Sequence, residues 1–337
     1  MSQRNRRVVL AERPTGVVDD STTRLETEET PELADGEALV AVRYLSIDPT
    51  IRTWMNDAPG YLPPIGVGEV IRSGGLGEVV ESKSDRYAVG DSVFGLVGWQ
   101  EYAVADEGAR AMQVIPAQVP PTLALNILGL TGVTAYFGML DVGGVKEGDV
   151  VVVSGAAGAT GSVAGQIARI KGAAKVVGIA GGPEKCAWLT GELGFDAAID
   201  YKNEDVAARL AEEAPAIDLY FDNVGGTILE AALANLALRG RIVICGAISQ
   251  YNAAGGRAAA QGPANYTMLV IRRGRMEGFL VLDYAERFGE AQAQLGAWVA
   301  EGRIKGAEHI VEGLENAPAA LNLLFTGGNT GKVMVRL

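Results

Sequence analysis

A chain of 337 residues exceeds the roughly 250–300 at which one hydrophobic core stops growing, so two domains are expected. Its 48% hydrophobic and 21% charged content is ordinary for a folded protein. A net charge of −12, with no basic run longer than "RRGR" (272–275), argues against a nucleic-acid partner, and two cysteines exclude a disulfide scaffold and point to the cytoplasm.

The first stretch, "MSQRNRRVVLAERPTG", is basic but lacks the apolar core of roughly 7–15 residues that a signal peptide needs. From there to about residue 123 the chain reads as β-rich. "EALVAVRYLSI" (37–47) alternates apolar and polar, as a half-buried strand does. "GVGEVIRSG" (66–74), "GLGEVVES" (75–82), "GDSVFGLVGW" (90–99) and "QEYAVAD" (100–106) follow between glycines, the rhythm of a small barrel or sandwich. Residues 111–140 carry no charge, yet Pro116, Pro120, Pro121, Gly129, Gly132 and Gly138 interrupt them, so a buried segment is expected and not a membrane span.

From about residue 124 apolar strands alternate with helical stretches. The strands are "DVVVVS" (149–154), "AKVVGIA" (174–180), "DAAI" (196–199), "IDLYF" (217–221), "RIVIC" (241–245) and "MEGFLVL" (276–282). Near-continuous apolar runs fit strands covered on both faces, and six of them predict a doubly wound parallel α/β sheet. The tail holds a helix, "NAPAALNLLFTG", and a last strand, "GKVMVRL", expected to return to the first domain. The expected division is residues 1–123 plus 297–337 in one domain and 124–296 in the other.

Gly155, Gly158 and Gly161 form a turn between four valines and an amphipathic helix carrying Val163, Ile167 and Ile170 on one face. Glycine admits a close-lying pyrophosphate, and the helix N-terminus offers N–H groups and partial positive charge. An NAD site wants an acid about 20 residues on, but "IAGGPEKC" places Gly181 and Gly182 there, with Lys185 next. A 2′-phosphate on Lys185 gains roughly 1.5–3 kcal/mol, so NADP(H) is the expected cofactor. Glu184 leaves open a ribose contact.

No metal site is expected. His309, Cys186 and Cys245 do not have ligand spacing, and His309 reads as structural. "GLTGVTAYFG" holds no nucleophile elbow, and "TGGNTGKV" is not a phosphate-binding loop of the Walker type.

Several stretches together resemble the zinc-independent medium-chain dehydrogenase/reductases, in the branch of prostaglandin reductases (leukotriene dehydrogenases), alkenal double-bond reductases and curcumin reductases. They are "SIDPTIR" (46–52), "YLPPIGVGEV" (61–70), "GWQEYAV" (98–104), "GLTGVTAYFGML" (129–140), "SGAAGATGSVAGQIARIKG" (154–172), "YFDNVGG" (220–226), "GRIVICGAISQYN" (240–252), "RMEGFLVLDYAERF" (275–288) and "EHIVEGLENAPAAL" (308–321). The resemblance covers nearly the whole chain. It implies a Rossmann domain joined to a β-rich GroES-like catalytic domain, a partly open barrel. It further implies NADPH-dependent reduction of the C=C bond of α,β-unsaturated ketones or aldehydes, a small-molecule substrate and a homodimer. A quinone reductase or an alcohol oxidoreductase of the same superfamily, or a non-catalytic nucleotide-binding scaffold, are the alternatives.

By resemblance, Ala157, Gly158, Ala159 and Thr160 cradle the pyrophosphate, and Lys185 and Tyr201 hold the 2′-phosphate. Asn223, Cys245, Gly246, Ser249 and Asn329 line the cofactor groove. Phe279, Leu280 and Val281 back the nicotinamide, with Thr134 near it. Tyr251 lines the groove and faces the substrate carbonyl as the catalytic hydrogen-bond donor, and Tyr61 and Arg52 belong to the substrate side. Each has a plainer reading, with Asn223 as a turn residue, Phe279–Val281 as strand core and Arg52 as a loop ion-pair partner. Thr50 and Ile51 stand where the family often has Tyr-Met, implying a wider pocket near Asp48. The loop 253–267, short and rich in Ala and Gly, falls where the family shapes its substrate pocket.

Overall fold

The computed structural model describes residues 3–252 and 262–337. Its centre is a six-stranded parallel sheet in the order Ala197–Asp200, Lys175–Ala180, Val150–Ser154, Ile217–Asp222, Leu236–Ile244, Arg275–Gly278. The first strand in sequence lies in the middle, and the chain winds outward from it in both directions. Side chains alternate faces along a strand. Val151 and Val153 therefore enter one core with the helices Leu130–Phe137, Ala159–Ile170 and Phe288–Ala300. Val152 enters the other with Val206–Glu213 and Gly226–Ala234. This double coverage is why the strands read as unbroken apolar runs.

Two strands differ from expectation. The last stops at Gly278, and Val281–Arg287 forms 3-10 turns. Phe279 lies just past the strand, its ring 2.7 Å from where a Cβ on Gly138 would be. The fifth begins early, at Leu236, and bulges before Arg241.

The second sheet has seven strands. Ala38–Ile47 pairs along its length with Gly74–Ser82, and its other edge pairs first with Tyr102–Ala105 and then with Lys332–Arg336. Ser92–Leu96, Gln113–Ile115 and Glu308–Glu312 complete it. Ala38–Ile47 is buried almost throughout, against the alternation expected. One face enters the core with Val40, Val79 and Val93. The other is covered around Leu76 and Met334 by the short helix Pro121–Leu125. Residues 66–73 form no strand, only an isolated bridge of Val70 to Val9. The antiparallel pair Arg4–Leu10 and Thr23–Glu29, to which no sequence signal points, is joined by a full ladder, with Arg7 between Glu26 and Glu28 on its charged face. Among the described residues no helix is long and apolar enough to cross a membrane.

The chain crosses between the sheets twice. Leu125 packs on the seven-stranded side and Ile127 on the six-stranded side. Trp298 and Ile304 still bury in the core of the parallel sheet before Glu308 joins the other sheet.

Candidate cofactor and active site

The strand order reverses between Val150–Ser154 and Ile217–Asp222, and a crevice opens there at the carboxyl ends of open α/β sheets. Val150–Ser154 leaves the sheet through Gly155, whose φ of +57° suits glycine, and reaches Gly158, the N-cap of a 12-residue helix with no side-chain cap. Gly161 packs flat against the turn, since a Cβ there would lie 2.3 Å from the Gly155 carbonyl oxygen. The backbone N–H groups of Ala159 and Thr160 open the helix, and no side chain caps them. A helix N-terminus packed this closely on a glycine turn, with no side-chain cap, fits a pyrophosphate. Replacing Gly161 with Ala is therefore expected to cost about 1–3 kcal/mol, the usual penalty of overpacking, and to abolish NADPH binding; a thermal melt and a fluorescence titration check both.

The opposing wall is laced by hydrogen bonds. Asn223 donates its backbone N–H to Ser154 Oγ (2.9 Å) and its side-chain N–H to the Ser154 carbonyl (2.7 Å). Asp222 Oδ1 accepts from Ser154, Tyr220, Val224 and Gly225, while its buried Oδ2 has no hydrogen-bond partner among the described residues. Burial therefore raises the Asp222 carboxyl above its ordinary range, against the pull of those donors. Cys245 and Gly246 donate backbone N–H groups to the Asp222 carbonyl, and Ser249 donates its hydroxyl to Val224 (2.6 Å). Burial pushes the Cys245 thiol up to about 12, so it stays neutral. Tyr251 closes the loop, its hydroxyl accepting the Ala247 N–H at 3.1 Å.

The tail supplies a third wall. Gly331 donates to the Ala157 carbonyl (2.8 Å) and bridges Gly158, which puts buried Asn329 beside the glycine turn with its side chain donating to Gly331. Lys185 donates to the Gly327 carbonyl (3.0 Å) and Lys202 to that of Thr326 (3.3 Å). The Tyr201 ring lies against Gly181, 2.8 Å from where a Cβ would be. The structure therefore gathers Lys185, Tyr201 and Lys202 at the end of the second strand. Burial first, and then the Lys202 charge, holds the Lys185 ammonium below its ordinary range. The negative charge of a bound phosphate would offset both. Lys202 was missed from sequence, although "YKN" puts it beside Tyr201. Glu184 stays exposed in the first turn of the helix Pro183–Gly191.

The remaining candidates separate. Thr134 donates its hydroxyl back to Leu130 (2.7 Å), and Val281 is buried. Phe279 and Leu280 follow the last strand, with the Phe279 ring edge-on to Tyr284. Tyr61 is 41% exposed, stands edge-on to Trp54 and shares a hydrogen bond with Thr50. Arg52 requires correction as a substrate-side residue. It is buried, and its guanidinium is used by the Gly16 carbonyl (2.8 Å), Asn56 (2.6 Å) and the Pro14 carbonyl (3.0 Å), which pin the N-terminal segment. The loop expected to shape the pocket, 253–267, falls for residues 253–261 outside the described part. His309 lies in the strand Glu308–Glu312, opposite Val333. Among the described residues no three His, Cys, Asp or Glu side chains gather as a metal site would need.

Comparison with known proteins agrees with this geometry. Residues 6–114 match the family model of the N-terminal domain of oxidoreductases, and residues 159–296 match that described as zinc-binding dehydrogenase. The chain is 41% identical to the NADPH-dependent curcumin reductase of Escherichia coli, over 99% of this chain and 97% of that one. It is 38% identical to the NADP(+)-dependent 2-alkenal reductase of Nicotiana tabacum, over 98% and 97%. The crystal structure of CurA in complex with NADPH from Vibrio vulnificus superposes with a TM-score of 0.92 at 42% identity, over 98% of both chains. The chain belongs to the medium-chain dehydrogenase/reductase superfamily, in the branch of the prostaglandin, curcumin and alkenal reductases.

Proposed function

We propose that this protein is an NADPH-dependent reductase of the C=C bond of α,β-unsaturated ketones and aldehydes. The observation that carries the reading is the pair of lysines beside Tyr201, with Gly181 and Gly182 where an NAD site keeps an acid, in a chain 38% identical to a 2-alkenal reductase over 98% of its length. NADPH, when bound, supplies a hydride from C4 of its nicotinamide to the β-carbon of the substrate.

The chain's own residues hold, orient and stabilise. Backbone N–H groups of Ala157 to Thr160 take the pyrophosphate, and Lys185, Lys202 and Tyr201 take the 2′-phosphate. Asn223, Cys245, Gly246, Ser249 and Asn329 wall the groove. Thr134 and the segment Phe279–Val281 give the nicotinamide an apolar backing that excludes water. Tyr61 borders the substrate side. Tyr251 donates a hydrogen bond to the carbonyl oxygen as negative charge develops there as an enolate. The α-carbon then takes a proton from Tyr251 or from water.

A panel of enals, enones and quinones assayed with NADH and NADPH tests the reading. Saturated products with an intact carbonyl support it, and turnover of quinones alone overturns it. Replacing Lys185 with Ala removes a charge-assisted contact of roughly 1.5–3 kcal/mol. KM for NADPH is expected to rise about ten- to a hundredfold while KM for NADH stays unchanged, as steady-state kinetics with both cofactors will report.

The domains divide near residue 126 and again after Ile304, later than the 297 expected, because Trp298 and Ile304 pack with the cofactor sheet. Two copies associate through the exposed apolar side chains Val270 (77%) and Ile271 (58%) of the helix Met268–Arg272. The free thiols of Cys186 and Cys245 suit the cytoplasm.

A further inference from the structure

The parallel sheet has a second charged end. Opposite the cofactor crevice, at the amino ends of its strands, a cleft of about 360 Å³ is lined by Lys146, Arg239, Arg241, Arg273 and Arg275, and otherwise only by Gly143 and Gly144. Five cations meet there in a chain of net charge −12. Arg241 forms the floor, held by Asp149 and by the carbonyls of Gly144 (2.9 Å) and Asp218 (3.2 Å). Arg275 lies 3.6 Å from Glu277 and donates to the Val142 carbonyl. Lys146, Arg239 and Arg273 have no carboxylate partner among the described residues, so three positive charges in the cleft stand unneutralised.

Backbone conformation separates this cluster from an incidental basic patch. Among the described residues just two that are not glycine have positive φ, Arg239 at +62° and Arg273 at +50°. Both line this cleft. Arg239 is presented by the bulge before Arg241, and Arg273 caps the helix Met268–Arg272 at a position where glycine is the usual residue. A left-handed conformation disfavours any side chain, and such residues persist where the side chain is needed.

We propose that this cleft is an anion-binding site for a chain of two or three phosphoryl groups. Arginine's planar fork matches phosphate oxygens two at a time, and five cations suit a polyanion better than a single ion. The volume, against ~30 Å³ for one water, accommodates several phosphoryl groups. The lining holds no aromatic ring and no apolar side chain, so it reads charge and not a base. The source is then a free oligophosphate or the tail of a nucleoside triphosphate.

Isothermal titration of the full chain tests this, with the cofactor groove saturated by NADPH and about 0.15 M salt present. Tripolyphosphate and ATP are the probes. Expected is one saturable site per chain for tripolyphosphate, with ATP equally tight if the phosphate chain alone is read and tighter if the nucleotide is the source. The double variant Arg239→Gly, Arg273→Gly should bind at least about tenfold more weakly. Its melting temperature should be equal or higher, because glycine adopts positive φ without penalty. The proposal is overturned if neither probe saturates, if the double variant binds as tightly as the parent, or if binding appears only when NADPH is left out.

Discussion

Replacing Tyr251 with Phe is expected to lower kcat on an enone by about 10²–10³, with the dissociation constant for NADPH nearly unchanged. When hydride reaches the β-carbon, negative charge passes to the carbonyl oxygen, and a positioned donor there acts on the transition state far more than on the ground state. Tyr251 follows the 3-10 turn Ile248–Gln250, which is anchored to the strand end by Ile248 donating to the Asn223 carbonyl (3.1 Å) and Ser249 to that of Val224 (3.2 Å). Its hydroxyl oxygen already accepts the Ala247 N–H. That bond holds the oxygen in place and polarises the O–H as a donor, which lowers the reorganisation needed at the moment of reaction. Loss of the hydroxyl also removes the partner of Ala247, a stability cost of about 1 kcal/mol that a thermal melt will separate from the kinetic effect. Steady-state rates on one enone, beside a fluorescence titration with NADPH, give the answer. A variant that keeps its kcat takes Tyr251 out of the reaction and leaves it a loop residue. A variant that loses kcat and NADPH affinity together makes it a groove residue instead.

What could be read from sequence follows how local each signal is. The parallel sheet was legible because strands covered on both faces must be apolar throughout, and Val150 to Val153 could be little else. The glycine turn was legible because strand, turn and helix are contiguous. The lysine cluster was half legible. Lys185 sits at a fixed offset from the second strand, whereas Lys202 reaches the same place only because the next strand runs parallel beside it. Arg52 misled for the opposite reason, because sequence places a residue in a motif but does not say which way its side chain points. The N-terminal hairpin was hidden because Thr23–Glu29 is polar and largely exposed and the run Val8–Leu10 is too short, so neither strand carries hydrophobic alternation. Lys332 was invisible as a charge with a partner, since Asp48 lies 284 positions away.

That pair sets the largest expected effect on stability. Lys332 is 1% exposed, and its ammonium donates to Asp48 Oδ1 at 2.6 Å and to the Ile47 carbonyl at 3.1 Å. Ser46 donates to the other Asp48 oxygen, so the cluster is satisfied on both sides. Replacing Lys332 with Met keeps the length and the apolar stem but leaves the carboxylate beside a buried site with no cation. Breaking a fully buried pair from one side costs about 3–5 kcal/mol, and with the Asp48 side chain 25% exposed the expected loss lies at the low end, about 3 kcal/mol. Folded domains hold only about 5–15 kcal/mol in all, so the midpoint of urea unfolding should fall sharply. The double variant Lys332→Met, Asp48→Asn removes the orphaned charge and should recover much of the loss, because an intact buried pair contributes little net stability once desolvation is counted. Equal destabilisation of the single and double variants would mean that packing of the lysine stem, and not charge, holds this corner. The effect should extend to the cofactor. Lys332 begins the strand that closes the seven-stranded sheet, and the residue before it donates to Ala157 in the glycine turn. Loosening the strand loosens that wall of the crevice, so NADPH affinity should fall in the single variant and return with stability in the double.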